Sequence, residues 1–252
     1  KYSRKIKKIM NRKILITGGS GLVGSQFVGD EYIKPTSKDF NLIDSTQTND
    51  MLLNGGINSL IHCAAKVGGL GSNMNYKGEF FYQNIMMNTN VIESARINGV
   101  ENLVVFLSTC VFPDNVEYPL TEKKIHLGPP HFSNDAYAYS KRMADIQVRA
   151  YKEQYGLNYK CVIPTNIYGI NDNFNLENGH VIPSLIHKCY LAKKNNTPFK
   201  IWGSGKPLRE FIFSFLDISS KQNCNFKVSS LASSFEKSGN SSLDFNSQFL
   251  MC

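Results

Sequence analysis

Long apolar runs are missing from this 252-residue chain. None approaches the about 18 consecutive apolar residues that a membrane-spanning helix needs, so no span is expected. The apolar core of a secretory leader is missing too: residues 1–9 carry Lys1, Arg4, Lys5, Lys7 and Lys8, and no run of that kind follows. Met10 stands just before the first strand pattern and reads as the natural start, with residues 1–9 as an upstream extension. The six cysteines, at 63, 110, 161, 189, 224 and 252, lack metal-ligand spacing. No metal is expected, and their scatter fits buried thiols in a reducing cytoplasm. Internal repeats are absent, which excludes solenoids and propellers. A net charge of +8 remains, but the five charges of residues 1–9 account for most of it, so neither nucleic acid nor a membrane is expected as partner.

What is present suits one globular domain, or one with part of a second: 42% of the residues are apolar and 19% charged. Lys13–Thr17 is a short apolar run that reads as a buried strand, and it leads directly into Gly18-Gly19-Ser20-Gly21-Leu22-Val23-Gly24. Glycines at 18, 21 and 24 suit a tight turn, close backbone approach to a diphosphate and tight helix–strand packing. A strand immediately before the glycines is the context a dinucleotide-binding loop requires; a structural glycine turn is the alternative. Only twelve residues separate Gly24 from Ser37, and Pro35 interrupts any strand there. A full strand–helix–strand unit takes about 30 residues, so this one is abbreviated or has lost a piece. Ser37 and Lys38 stand where an acidic residue would otherwise select a ribose hydroxyl. They suit a 2′-phosphate, hence NADP, and a solvated loop lysine accounts for Lys38 equally well. Asp39 to Asp44 would border the adenine.

Further buried strands are expected at Leu60–Ala65, Asn102–Leu107 and 160–165, with a flexible loop over Lys66–Gly71. Phe199 to Trp202 also reads as a strand. Helical spacing covers 79–98, 136–156 and 181–194. Asn84, Asn88 and Asn90 within the first of these could brace the sheet, and His62 reads as a core histidine. Pro113 to Asn134 and Asp172 to Gly179 read as loops. After Asp217 the chain is rich in Ser, Asn and Phe without periodicity, which reads as disordered or out-of-frame sequence.

The chemistry concentrates in two stretches. Asn102–Leu107 delivers Ser108-Thr109-Cys110 at its carboxyl end, where ligands collect in open α/β sheets. Tyr137-Ala-Tyr-Ser-Lys141 opens a helix and puts Tyr137 and Lys141 on one face. A lysine ammonium beside a phenol favours phenolate, so the pKa of Tyr137 is expected to fall toward neutrality and fit proton transfer at a carbonyl oxygen. Ser108 could hold that oxygen, and Cys110 could carry a second proton. Tyr-x-x-x-Lys also arises by chance on helix surfaces; the strand end upstream favours the chemical reading.

Gly18-to-Gly24, Ala64-Ala-Lys-Val-Gly-Gly69, Ser108-to-Pro113 and Tyr137-to-Lys141 resemble the extended short-chain dehydrogenase/reductase superfamily. Pro164-Thr-Asn-Ile-Tyr-Gly169, Asp172-to-Asn175, Gly179-His-Val-Ile-Pro183 and Trp202-Gly-Ser-Gly205 narrow the resemblance to its GDP-L-fucose synthase branch, from about Asn11 to Asp217. The resemblance implies a Rossmann-type doubly wound parallel sheet with an incomplete C-terminal substrate domain. The divisions are an upstream extension (1–9), a NADP-binding domain (10–170), a partial substrate-binding region (171–217) and a divergent tail (218–252). It implies NADPH-dependent conversion of GDP-4-keto-6-deoxy-D-mannose to GDP-L-fucose, by 3,5-epimerisation and then 4-keto reduction. A related nucleotide-sugar epimerase or dehydratase, or a non-catalytic dinucleotide-binding fragment, is the alternative. Ser108, Cys110, Tyr137, Lys141 and His180 match the family's catalytic positions, with Cys110 as base and His180 as acid, both tuned near neutral pH. Besides the glycine loop, the implied cofactor positions are Lys38, Asp39, Asn41 and Leu42, then Ala64, Leu107, Ser108 and Lys141, and finally Pro164, Thr165, Asn166, Ile167 and His180. Asn166, Lys188, Trp202 and Arg209 match substrate positions. Beyond Arg209-Glu-Phe the family pattern stops, so part of the nucleotide-sugar site is expected to be missing. A cytoplasmic homodimer through the 79–98 and 136–156 helices completes what the family implies.

Overall fold

The computed structural model describes residues 13–53, 56–201, 209–214 and 249–251. Its core is a six-stranded sheet. Strands β1 (Lys13–Thr17), β2 (Tyr32–Ile33), β3 (Ile57–His62), β4 (Asn102–Phe106) and β5 (Asn158–Pro164) run parallel in the order β2-β1-β3-β4-β5. The order reverses between β1 and β3, and a crevice opens outside the carboxyl ends of the strands at such a reversal.

Successive residues of a strand face opposite sides, and both sides here are covered, which is why the strands read as continuous apolar runs. On one face Leu15, Leu60, Leu103, Val105, Cys161 and Ile163 form a cluster with residues of three helices: α1 (Ser45–Leu53), α3 (Lys77–Ile97) and α4 (Asp135–Tyr155). On the other, Ile14, Ile16, Ile61, Val104, Phe106 and Val162 pack with Phe27.

The unit between β1 and β2 is abbreviated. A single 3₁₀ turn, Gly24–Gln26, stands where a helix would, and β2 is two residues long, ending ahead of Pro35. Phe27 closes that turn and is 2% exposed, and together with Val23 and Tyr32 it covers part of the sheet face that a helix would cover.

Sequence reading did not separate α1 or α2 (Leu70–Asn75). The Lys66–Gly71 loop is therefore shorter than expected, because helix begins at Leu70. The start of α1 is capped by Asp44, whose carboxylate accepts hydrogen bonds from the N–H groups of Thr46 (2.9 Å) and Gln47 (3.1 Å). The pattern Asp44-x-x-Gln47 was a readable helix-start signal. Helix α4 ends where expected: Gly156 adopts φ 66° and donates to the Lys152 carbonyl, a left-handed turn that glycine makes without strain.

After β5 the chain enters a small parallel pair, β6 (Asn166–Tyr168) with β7 (Phe211–Phe213), and α5 (Val181–Asn195) lies between them in sequence. The strand expected at Phe199 to Trp202 is not formed over 199–201, where Phe199 and Ile201 are solvent-exposed and no ladder partner is present among the described residues. Of the segment after residue 217, the backbone of β8 (Phe249–Met251) pairs antiparallel with β5. The rest of the expected tail, and residues 1–12, lie outside the described residues.

Candidate active site

The glycine loop leaves β1 through Gly18, which adopts φ 70°. A Cβ on Gly18 would sit 2.7 Å from the Ala64 backbone nitrogen, and one on Gly24 would strike the Gly18 carbonyl and lie 2.8 Å from the Gly19 Cα. The chain thus crosses the end of β3 with no space for side chains, and Gly21 N–H closes the turn onto the Gly18 carbonyl (3.0 Å). Leu22 reaches over to Gly169, and Ser25 accepts from the Asn171 amide (2.9 Å), so the loop also touches the segment after β6.

A buried polar chain runs beneath it. The His62 ring bonds Thr17 Oγ1 (2.7 Å) on one side and Asn88 Oδ1 (3.0 Å) on the other, and the Asn88 amide donates to the Ser140 carbonyl (3.2 Å). Burial and the nearby Lys141 charge push His62 down to about 3, so it stays neutral and braces β1, β3, α3 and α4 as a core histidine. Asn84 exchanges hydrogen bonds with the Lys66 backbone, and Asn90 donates to the carbonyls of Leu42 and Ile43 (both 2.9 Å). Asn84 and Asn90 thus fix loops, while Asn88 ties His62 of β3 to α4, so all three amides brace the sheet region as expected.

Ser108 follows β4, and Thr109–Val111 forms a 3₁₀ turn carrying Cys110. Arg142 pins that turn through the Val111 carbonyl (2.7 Å) and reaches the Gly128 carbonyl (2.8 Å). Lys141, 1% exposed, donates to the Phe106 carbonyl (2.8 Å), and its Nζ lies 6.0 Å from the centroid of the Tyr137 ring. Tyr137 also meets the edge of Phe80 on α3, with centroids 6.4 Å apart. Ser108, Cys110, Tyr137 and Lys141 are therefore brought together from β4 and α4.

Their protonation differs from the expectation. Burial holds the Tyr137 phenol well above its ordinary value, and Lys141 does not lower it: the ammonium faces the Phe106 carbonyl and the tyrosine ring. Burial likewise pushes Cys110 up to about 11, although a hydrogen bond with Ser108 and the charges of Lys141 and Arg142 pull it down. Lys141 itself is lowered to about 8 by burial. Near neutral pH this constellation is a phenol, a thiol and an ammonium.

His180 precedes α5 and its Nδ1 lies 3.1 Å from the carboxylate of Asp172, in the preceding loop, a pairing that the sequence does not signal. That loop docks on the one after β3. Gly69 N–H donates to the Asn178 carbonyl (2.9 Å), and a Cβ on Gly69 would meet the Gly179 carbonyl at 2.6 Å. Gly68 in turn lies against Phe80, the ring that meets Tyr137, so His180 is carried to the same edge of the sheet.

The remaining expected positions divide. The Asn166 side chain donates to the Glu210 carbonyl (2.9 Å), which sets it beside Arg209 through the β6–β7 pairing. Lys188 is on α5 and lines a hollow of about 450 Å³ with Leu191, Ala192, Thr197, Pro198 and Lys200. Trp202 lies outside the described residues. The Asp39 carboxylate is engaged by Thr36 N–H (2.7 Å) and Oγ1 (2.8 Å), which lower its pKa, while Lys38 is exposed beside that turn. Leu107 is buried, and Ala64, Thr165 and Ile167 are half-buried. Among the described residues no group of three or more His, Cys, Asp or Glu is placed to hold a metal ion.

Comparison with known proteins adds independent findings. Residues 14–215 match the model of the NAD dependent epimerase/dehydratase family. A GDP-L-fucose synthase of Dictyostelium discoideum is 49% identical over 215 residues, covering 81% of this chain and 67% of the relative. A probable GDP-L-fucose synthase of Drosophila melanogaster is 40% identical, over 81% of this chain and 68% of its own. The crystal structure of a GDP-L-fucose synthetase from Naegleria fowleri bound to NADP superposes with a TM-score of 0.73 at 46% identity, covering 81% of this chain and 69% of that one. The chain spans about two thirds of the length of each of these relatives.

Proposed function

Because the chain belongs to the NAD dependent epimerase/dehydratase family, and within it to the GDP-L-fucose synthases, we propose that it binds NADPH and turns GDP-4-keto-6-deoxy-D-mannose into GDP-L-fucose. The observation that carries this reading is the meeting of Ser108, Cys110, Tyr137 and Lys141 at the carboxyl end of β4, at the sheet edge that also holds the glycine loop.

The residues fit the cofactor. Lacking a Cβ, Gly18 packs against the Ala64 backbone and Gly24 against Gly18 and Gly19, the tight turn and close packing that a diphosphate-binding loop uses. Lys141 would hold the nicotinamide ribose, and Lys38 the 2′-phosphate. When bound, the reduced nicotinamide supplies the hydride delivered to C4 of the sugar.

The 4-ketone makes the protons at C3 and C5 acidic. Cys110 removes a proton to give an enolate, and His180 returns one on the opposite face, steadied by Asp172. The Cys110 thiol must first lose its own proton, and the charges of Lys141 and Arg142 act in that direction. Ser108 then holds the C4 oxygen. Tyr137, kept as a phenol by burial, gives that oxygen its proton as the alkoxide develops. Lys188 and Arg209 neutralise the nucleotide diphosphate, and Asn166 contacts the sugar.

Incubation with the 4-keto sugar and NADPH tests this: GDP-L-fucose should form, with one NADPH oxidised per product. A different sugar product, or NADPH binding without turnover, contradicts the reading.

The assembly we propose is a homodimer through α3 and α4, supported by Phe81 and Tyr82 on one helix and Tyr139, Met143 and Ile146 on the other, all solvent-exposed apolar side chains. Sedimentation at micromolar concentration should give twice the chain mass; a monomer contradicts it. A cytoplasmic location is supported by Cys63, Cys110 and Cys189, which are thiols and not disulfide halves. Imaging of a tagged chain checks it.

A further inference from the structure

The abbreviated unit between β1 and β2 removes something a dinucleotide site uses. A helix after the glycine loop offers free N–H groups and a positive dipole end to the diphosphate. Here a 3₁₀ turn of three residues follows, too short to supply a dipole. Shortening also brings Lys34, the residue just after β2, against the loop: a Cβ on Gly19 would lie 2.6 Å from Lys34 Cβ, 2.8 Å from Cγ and 3.0 Å from Cδ. The stem of Lys34 therefore lies across Gly19. Its ammonium reaches the Ser25 carbonyl at a long 3.4 Å.

On the assumption that the glycine loop is the dinucleotide site proposed above, we propose that Lys34 supplies the positive charge that the missing helix would have supplied, and binds the cofactor diphosphate. The surroundings agree. No carboxylate among the described residues pairs with Lys34, and the neighbouring Cys63 is held as a neutral thiol, pushed up to about 12 by burial. Partial burial lowers the Lys34 pKa, so an anion arriving beside it meets an ammonium that has already lost part of its water shell. The single long bond to Ser25 is weak, and a diphosphate oxygen would replace it with a charge-assisted one. The diphosphate is common to NADPH and NADH, so Lys34 contributes equally to both, whereas Lys38 discriminates between them.

Fluorescence titration of the full chain with NADPH and with NADH, in parallel with Lys34→Met, Lys34→Arg and Lys38→Ala, tests this. Lys34→Met should weaken both dinucleotides by roughly tenfold or more and flatten the salt dependence of binding. Lys34→Arg should retain most of the affinity, and Lys38→Ala should weaken NADPH alone. Unchanged affinity in Lys34→Met overturns the proposal while leaving the cofactor site standing. Tighter binding in Lys34→Met also overturns it, since the side chain would then be an obstruction. A wild-type chain that binds neither dinucleotide overturns the cofactor reading and this inference with it.

Discussion

Lys141 shows what the proposed active-site residues demand of the fold. An ammonium 1% exposed, with one carbonyl as its hydrogen-bond partner, is costly to bury. Its pKa falls from the ordinary 10.5 to about 8 for that reason. Between those two values the unfolded chain binds a proton that the folded one does not, so stability rises with pH across that window. Below about 8 both states are charged and the full penalty stands. Lys141→Met should therefore melt at higher temperature at pH 7, with a gain of about 1–3 kcal/mol, while losing reductase activity. Its advantage should shrink as pH rises through 8 toward 10.5 in calorimetry. A variant less stable than wild type at pH 7 would mean that the Phe106 hydrogen bond outweighs the burial. The pairing of Tyr137 with Lys141 was legible from their spacing alone. The direction of the Tyr137 shift was not, because spacing places the lysine on the same helix face but does not say which way its ammonium turns.

At the scale of elements, the Gly24–Gln26 turn and Phe27 stand in for a helix. Phe27 packs with Ile14, Ile16, Ile61, Val104, Phe106 and Val162, and the half-buried Tyr32 meets its ring at 5.5 Å between centroids. Phe27→Ala should cost roughly 3–5 kcal/mol in denaturant unfolding, the loss expected for emptying a large buried site. A cost below about 1 kcal/mol would show that the second face is covered by something else. The buried strands were readable because both faces of the sheet are covered and the runs are continuously apolar. The shortness of the unit after Gly24 was readable from simple residue counting. Its consequence was not: Lys34 meets Gly19 only because β2 moves up against the loop, and no local pattern encodes that. The His62 chain was likewise half legible, since burial of a histidine follows from its strand but its partners Thr17 and Asn88 lie 45 and 26 residues away. The β6–β7 pair joins residues 166–168 to 211–213 and has no signal short of the fold itself.

For the whole molecule, the proposed roles put proton transfer and reduction at one edge of the sheet. Cys110 sits on the turn after β4, Tyr137 and Lys141 on α4, and His180 on a loop anchored at Gly69. On that proposal, two steps on one bound ketone depend on different side chains. The most direct measurement follows deuterium entry into the sugar and NADPH oxidation together, in deuterated water, for wild type, Cys110→Ala and Tyr137→Phe. In Cys110→Ala, deuterium should fail to enter at C3 and C5 while NADPH oxidation continues slowly on unepimerised sugar. In Tyr137→Phe, exchange should continue while NADPH oxidation falls by about 10²–10⁴-fold. Exchange lost equally in both variants would contradict the assignment of separate roles to Cys110 and Tyr137.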